Sequence, residues 1–357
     1  MRFKLLLALF AVLSITTVAV AQNNAAALAN LPEADAIIYV SPQRILNEAA
    51  PRVMAPADLT KMRDTFAELK KSPGIDPSSI EYLVLAVRFN KPAADLSFVA
   101  PDVMVVIGGD FSADSLMSLV QLYLQDKARI EKYETKSIML MKIDPIAAQV
   151  EKNPILKPYS EIGIVALSAN SIAIGNLRYL QSAIAAADGN GRISATTIES
   201  LLRDPNVLAS ASGAPLAAFA KSIGMMGLEN TSRASRCDTP FGNFYAAITM
   251  TGTNFSLRGA MNADNPDTAK IINNLLSGLM KEGINAVPDK QAQTILQSMK
   301  MSARDNEIVW EADIPEKTVA DFIRSTSAKP EARVTAPAPK PVKTRSPVLP
   351  KKRTRKN

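Results

Sequence analysis

The sequence predicts an α+β fold, with antiparallel sheets built from hairpins and helices packed against them. Three observations predict it. Apolar or alternating runs come in close pairs around short polar stretches such as "SANS", "TGTN" and "RDNE", which is how hairpins are spaced. Helical stretches lie between these pairs rather than after every strand, which argues against a doubly wound parallel sheet. Hydrophobic residues make up 47% of the 357-residue chain, enough for one large core or two ordinary ones.

The chain opens "MRFK", a short cationic start, then "LLLALFAVLSITTVAVA", an apolar run of 17 residues. Ala19, Ala21 and Gln22 follow the pattern a signal peptidase cuts. The run is shorter than the ~20 residues a membrane span prefers, so a cleaved secretory signal peptide is expected over 1–21. No cysteine lies near the cut to carry a lipid anchor, and the mature chain is expected to have no transmembrane helix.

"ADAIIYV" (34–40) is a short apolar run expected to be a buried strand. "SPQRILNEAA" follows as a helix, with Ser41 as N-cap and Pro42 at its first position. In "ADLTKMRDTFAELKKS", Leu59, Met62, Phe66 and Leu69 share one helical face, and Pro73-Gly74 stops the helix. Strands are expected at 80–89 and 102–111, the second ending at Gly108-Gly109. A helix capped by Ser112 covers 112–127, and a hairpin around Thr135-Lys136 covers 129–143. A second hairpin spans 161–176, and helices span 177–187 and 196–204.

The stretch 224–243 is rich in Gly, Ser and Asn and is expected to be a long loop. A hairpin over 244–262 and a helix over 265–283 follow, with Ile271/Ile272, Leu275/Leu276 and Leu279/Met280 recurring every four residues. The stretch 289–300 continues helically. A hairpin over 300–314 and a last helix over 315–325 close the body. The order strand pair, helix, hairpin, helix occurs over 80–187 and again over 244–325, which suggests two related β-β-α-β-β-α units. The expected organisation is a signal peptide (1–21), an N-terminal α+β unit (22–223), a loop or linker (224–243), a C-terminal α+β unit (244–327) and a disordered basic tail (328–357).

Charge is divided unevenly. The chain carries +7 in total, but residues 328–357 hold ten Lys or Arg and one acid, Glu331. With Arg2 and Lys4 also set aside, residues 22–327 carry a net charge of −4. A mildly acidic body lacks the electrostatic footprint of a nucleic-acid binder. The tail is rich in Pro, Lys and Arg, has little apolar mass to bury, and is expected to be extended. Its last cluster, Lys351, Lys352, Arg353, Arg355 and Lys356, is the candidate contact for an anionic surface such as envelope lipids or polymers. A solvated tail without a partner is the plainer alternative. "PKKRTRK" also fits a nuclear-import pattern, which the signal peptide argues against.

The residue inventory restricts the chemistry. The chain has no histidine, which removes Ser-His-Asp and Cys-His nucleophiles and every His-ligated metal. Cys237 is the single cysteine, so no intramolecular disulfide forms. It is either an incidental residue, the preferred reading, or a thiol for intermolecular pairing or a reactive thiol beside Arg236. No phosphate loop or dinucleotide fingerprint occurs. Carboxylate pairs, Ser-Lys pairs and Ca²⁺ sites are the catalytic options left. Aromatic residues are 5% of the chain, too few for the ring-stacking platforms of sugar clefts.

Two patterns invite a metal. In "AADGNGRISATT" (186–197), Asp188, Asn190 and Gly191 match positions of a calcium loop. Its first and twelfth positions are Ala186 and Thr197, so both terminal ligands are lost; a Gly-rich turn is preferred. Met139/Met141 and Met299/Met301 are spaced to share a strand face. Thioethers suit Cu(I), but packing in the sheet core is preferred. No cofactor or metal is expected.

The segments "LPEADAIIYVSPQRILNEAAPRVM" and "GIDPSSIEYLVLAVRF" resemble a group of uncharacterised bacterial exported proteins. These open with an LP-x-x-(D/T) strand and enter the next strand through GID. The resemblance covers roughly 30–325. It implies an exported α+β protein and brings no catalytic residues. The expected function is a non-catalytic binding or scaffold protein of the periplasm, envelope or extracellular space. The alternative is a hydrolase using carboxylates or a Ser-Lys pair.

Overall fold

Two-residue turns dominate the local structure. In the computed structural model, which describes residues 28–71, 76–90, 99–124, 127–143, 152, 156–204, 206–214, 242–287 and 289–327, four hairpins close on Glu134-Thr135, Ala169-Asn170, Gly252-Thr253 and Asp305-Asn306. Glu134, Gly252 and Asp305 have φ values of 51°, 60° and 51°, the left-handed backbone that tight hairpins favour. The first of these turns falls one residue earlier than the expected Thr135-Lys136.

The strands are β1 (Ala36–Val40), β2 (Ile80–Arg88), β3 (Asp102–Gly109), β4 (Ala128–Tyr133), β5 (Lys136–Lys142), β6 (Glu161–Ser168) and β7 (Ser171–Gly175). They continue with β8 (Val207–Gly213), β9 (Phe244–Thr251), β10 (Asn254–Asn262), β11 (Lys300–Arg304) and β12 (Glu307–Pro315). All twelve join one antiparallel sheet, in the order β11-β12-β10-β9-β8-β1-β2-β3-β7-β6-β5-β4. The fold is therefore α+β with antiparallel pairing, as the hairpin spacing predicts.

The sheet runs unbroken through both expected units, which meet where β8 pairs with β9, and β8 pairs with β1 near its centre. Outward from that pair, the order is β1-β2-β3-β7-β6 on one side and β8-β9-β10-β12-β11 on the other. The connectivity is the same on the two sides once the β4–β5 hairpin is set aside.

The described helices are α1 (Pro42–Arg44), α2 (Ala50–Val53), α3 (Pro56–Lys71), α4 (Ala113–Leu124), α5 (Leu177–Ala187), α6 (Ala195–Leu201), α7 (Pro266–Ala286), α8 (Lys290–Gln297) and α9 (Glu316–Ser327). Between α1 and α2 the chain takes one π-helical turn, Ile45–Ala49. Ser41 precedes α1 but makes no side-chain cap, contrary to expectation. The hydroxyl of Ser112 does accept from the Ser115 N–H at 3.2 Å, capping α4.

Residue parity along the paired strands assigns the core to two faces. One face carries Ile37, Tyr39, Val84, Met104, Val106, Ile138 and Leu140, covered by Tyr179, Leu180 and Ile184 of α5 and by Leu201 of α6. The opposite face carries three clusters. Leu116, Met117 and Val120 of α4 cover Ile107, Ile164 and Ile172. The α1–α2 region, α8 and α9 cover Phe255, Ala312 and Ile314. Ala269, Ile272 and Leu276 of α7 cover Met261 and Ile308.

β1 is not the fully buried strand expected. Ile37 and Tyr39 are buried while Ile38 between them is 42% exposed, because no described helix spans the opposite face there. At Gly108, a Cβ would lie 2.1 Å from the Tyr82 ring, and at Gly109 2.0 Å from the Ser79 carbonyl oxygen. The double glycine is thus a site of close approach by the β2 side, where any larger residue would collide.

Candidate functional site

The expected cleavage residues Ala19, Ala21 and Gln22, the tail cations Lys351, Lys352, Arg353, Arg355 and Lys356, and Cys237 all lie outside the described residues. So does most of the 224–243 loop.

The calcium-like loop is described, with Asp188 and Asn190 exposed and several of its backbone carbonyls engaged within the fold. Gly189 and Gly191 take φ values of +107° and +66°, so this is a tight helix-to-helix turn. Arg192 folds back to donate to the Ala186 and Ala187 carbonyls at 2.8 and 3.1 Å, placing a cation at the C-terminal end of α5. The Gly191 carbonyl accepts from the Glu33 N–H at 3.0 Å, and the Ile193 N–H donates to Leu31. The loop fastens the segment before β1 to α5 and α6. Among the described residues, no three acids or cysteines are grouped to hold a metal.

Of the two methionine pairs, Met139 and Met141 both lie on β5 and share a face by strand parity, whereas Met299 and Met301 separate. Met139 packs with α4 and Ile164. Met299 precedes β11 and joins the cluster under α9, whereas Met301 on β11 joins the one under α7. The expectation that Met299 and Met301 share a strand face fails because the strand begins at Lys300.

The most connected charged group is Asp102, at the start of β3, whose side chain is inaccessible to solvent. Its Oδ2 accepts from Nη2 of Arg88 on β2 at 2.9 Å. Its Oδ1 accepts from Arg178 Nη2 at 2.8 Å and from Asn176 Nδ2 at 2.7 Å. The Asn176 Oδ1 accepts from the Val103 N–H at 2.9 Å. Arg88 also stacks over the Tyr179 ring, 4.6 Å from its centroid. Burial pushes the Asp102 carboxyl upward, but hydrogen bonds from Arg178, Arg88 and Asn176 outweigh it and hold the carboxyl below the usual range. A carboxylate locked in its ionised form between two guanidiniums is a structural tie, since a general acid needs a raised value. The tie fastens the first turn of α5 to β2 and β3.

Two clefts open on the surface of the described residues. One of about 420 Å³ lies between α4 and the β4–β5 hairpin, lined by Asp114, Met117, Gln121, Ile130, Lys136 and Met139. Another of about 230 Å³ is lined by Glu81, Tyr82, Ser168, Asn170 and Ser171. In the second, the Tyr82 hydroxyl bonds Ser171, and burial pushes its phenol up to about 12. Ser171 and Ser168 hydroxyls lie 2.7 Å apart. Each cleft is lined by a single carboxylate, so neither brings together the acid pair of a glycosidase-type hydrolase.

The outer side of the helix layer is more distinctive. α4 leaves Leu122 and Tyr123 exposed, and α7 leaves Ile271, Leu275 and Leu279 exposed. The doubled apolar pairs of α7 explain this. Ile272 and Leu276 turn to the sheet while Ile271 and Leu275 turn away. That doubling was visible in the sequence, since one buried stripe needs only one member of each pair. Among the described residues, no helix is long and apolar enough to cross a membrane.

No family model matches the chain, and no curated protein matches it. Among solved structures, two crystal forms of TP0453 are similar in part. Form IV overlaps with a TM-score of 0.41 at 9% identity, over 83% of this chain and 95% of that one. Form I overlaps with a TM-score of 0.41 at 10% identity, over 84% and 96%. An overlap at that level carries no activity, ligand or site to this chain.

Proposed function

We propose that the protein is an exported, non-catalytic binding or scaffold protein of the periplasm or cell surface, whose basic tail adheres to anionic envelope surfaces. The observation that carries this reading is the division of charge. A body of net charge −4 over 22–327 precedes a tail of net charge +9 that begins directly after α9. Near an anionic surface each Lys or Arg contributes about 1 kcal/mol, so Lys351, Lys352, Arg353, Arg355 and Lys356 suffice for reversible attachment. The acidic body is repelled by the same surface and stays in solution, presenting the sheet and its helix layer.

Export itself rests on the cationic, apolar and small-residue pattern of residues 1–22. The test is co-sedimentation with vesicles of anionic or zwitterionic phospholipid, using the chain from Gln22 with and without residues 328–357. The intact chain is expected to sediment with anionic vesicles at low salt and to be released as salt rises. The chain ending at Ser327 is expected to remain in the supernatant. Equal sedimentation of the two would end the tail-adhesion reading.

A further inference from the structure

We propose that the smaller cleft, lined by Glu81, Tyr82 and Ser171, is a binding site for the ammonium group of a small alkylamine. Two irregularities of the sheet build it. The register shifts between Ile80 and Tyr82 on β2 and between Ala166 and Ser168 on β6. Glu81 and Leu167 are thus the extra residues of two β-bulges, and both line this cleft. Bulges re-aim side chains and recur beside functional sites. Between the bulges, the Tyr82 ring lies over Gly108, whose register partner on β7 is Ser171. The missing Cβ of Gly108 lets the ring cross β3, and the phenol bonds Ser171 on the far side.

Counting protons shows what the cleft offers a ligand. The Ser168 hydroxyl donates to the Asn170 Oδ1 at 2.8 Å. A hydroxyl has one proton to give, so in the 2.7 Å contact between Ser168 and Ser171 the proton comes from Ser171. The Tyr82 hydroxyl then donates to Ser171. All three protons point along this chain toward Asn170, which leaves the lone pairs of the Tyr82 oxygen for a ligand. Glu81 is half-buried and, among the described residues, has no hydrogen bond or ion pair. No Lys or Arg lines the cleft. Free acceptors and one negative charge select a cationic donor. A divalent metal fits poorly, because one carboxylate supplies too little charge and burial keeps the Tyr82 phenol protonated at neutral pH. An ammonium group needs only acceptors. Leu31, Val106 and Leu167 provide an apolar wall for its alkyl stem. The volume of about 230 Å³ falls below the ~300–1,000 Å³ of drug-sized pockets, so the stem is short.

The experiment is saturation-transfer NMR on the chain from Gln22, without lipid, using n-pentylammonium as the probe and n-pentanol and pentanoate as controls. The basic tail repels this probe, so the result is independent of tail adhesion. Pentylammonium is expected to bind with a dissociation constant of ~1 mM, about tenfold tighter than pentanol or pentanoate. Glu81→Gln is expected to weaken pentylammonium about tenfold, leave pentanol unchanged and unfold at the same urea concentration as the wild type. Tyr82→Phe is expected to weaken it about threefold. A wild-type chain that does not bind pentylammonium would overturn the proposal. So would pentanol binding as tightly as pentylammonium, or a Glu81→Gln chain that binds the ammonium as well as the wild type.

Discussion

The two halves of the sheet share a connectivity but not a covering. On the β1 side, α4 packs on one face and α5 crosses to the other, so β3 is covered on both faces. On the β8 side, α7, α8 and α9 all stay on one face, and the other presents Arg258, Lys300, Glu311 and Asp313 to solvent. The strands record the difference. β2 reads "IEYLVLAVR", nearly continuous in apolar residues, while β12 reads "EIVWEADIP", alternating. What differs at the turning point is polar. β12 runs straight into α9, whereas β7 is followed by Asn176, which bonds Val103 and Asp102 as Asp102 grips Arg178. The comparison teaches that the apolar pattern sets how much of a strand is covered, while a buried polar tie steers which face the following helix takes.

The comparison can be broken most forcefully beneath α5. Leu180→Ala, at a fully buried position, is expected to cost about 3–5 kcal/mol in urea unfolding. A loss below about 1 kcal/mol would show that α5 is not the cover of that face. Next, Asp102→Ala strands two guanidiniums beside a buried site and is expected to cost about 3 kcal/mol. Because the folded carboxyl sits below its unfolded value, its stabilisation is complete above the ordinary carboxylate range. That stabilisation is lost as pH falls through the folded value. Urea midpoints should thus drop on acidification in the wild type and drop less in Asp102→Asn.

A smaller effect of opposite sign is expected on the β8 side. The Ser256 hydroxyl is buried and has no partner among the described residues, so Ser256→Ala should raise stability by about 1 kcal/mol. Smallest of all, Glu311→Ala on the solvent face should change stability by less than about 0.5 kcal/mol. A large loss there would mean that this face is covered in solution.

Much of the fold was legible in the residues, because hairpins and amphipathic helices are local. The turns at Ala169-Asn170, Gly252-Thr253 and Asp305-Asn306 and the full span of α5 follow from patterns within about 20 residues. The strand that joins the halves was not legible. β8 reads "VLASASG", small residues of low strand propensity, and it is a strand because β1 and β9 flank it. Ser210 is buried there with its hydroxyl donating to the Leu201 carbonyl at 2.6 Å, which satisfies a polar group inside the sheet core. The Asp102 tie was equally hidden, since Arg178 lies 76 residues away. The exposed stripe of α7 was written plainly in its doubled pairs.

The β1–β8 pair also orders events in time. Its partners lie about 170 residues apart along the chain, whereas each hairpin closes over two. Local pairs form in microseconds, and distant ones wait on loop closure. The middle of the finished sheet is therefore the last part to assemble. Until it does, each half ends in an unpaired edge, at β1 and at β8, and unpaired edges recruit strands from other chains. The protein's most protected seam is, during folding, its most vulnerable one.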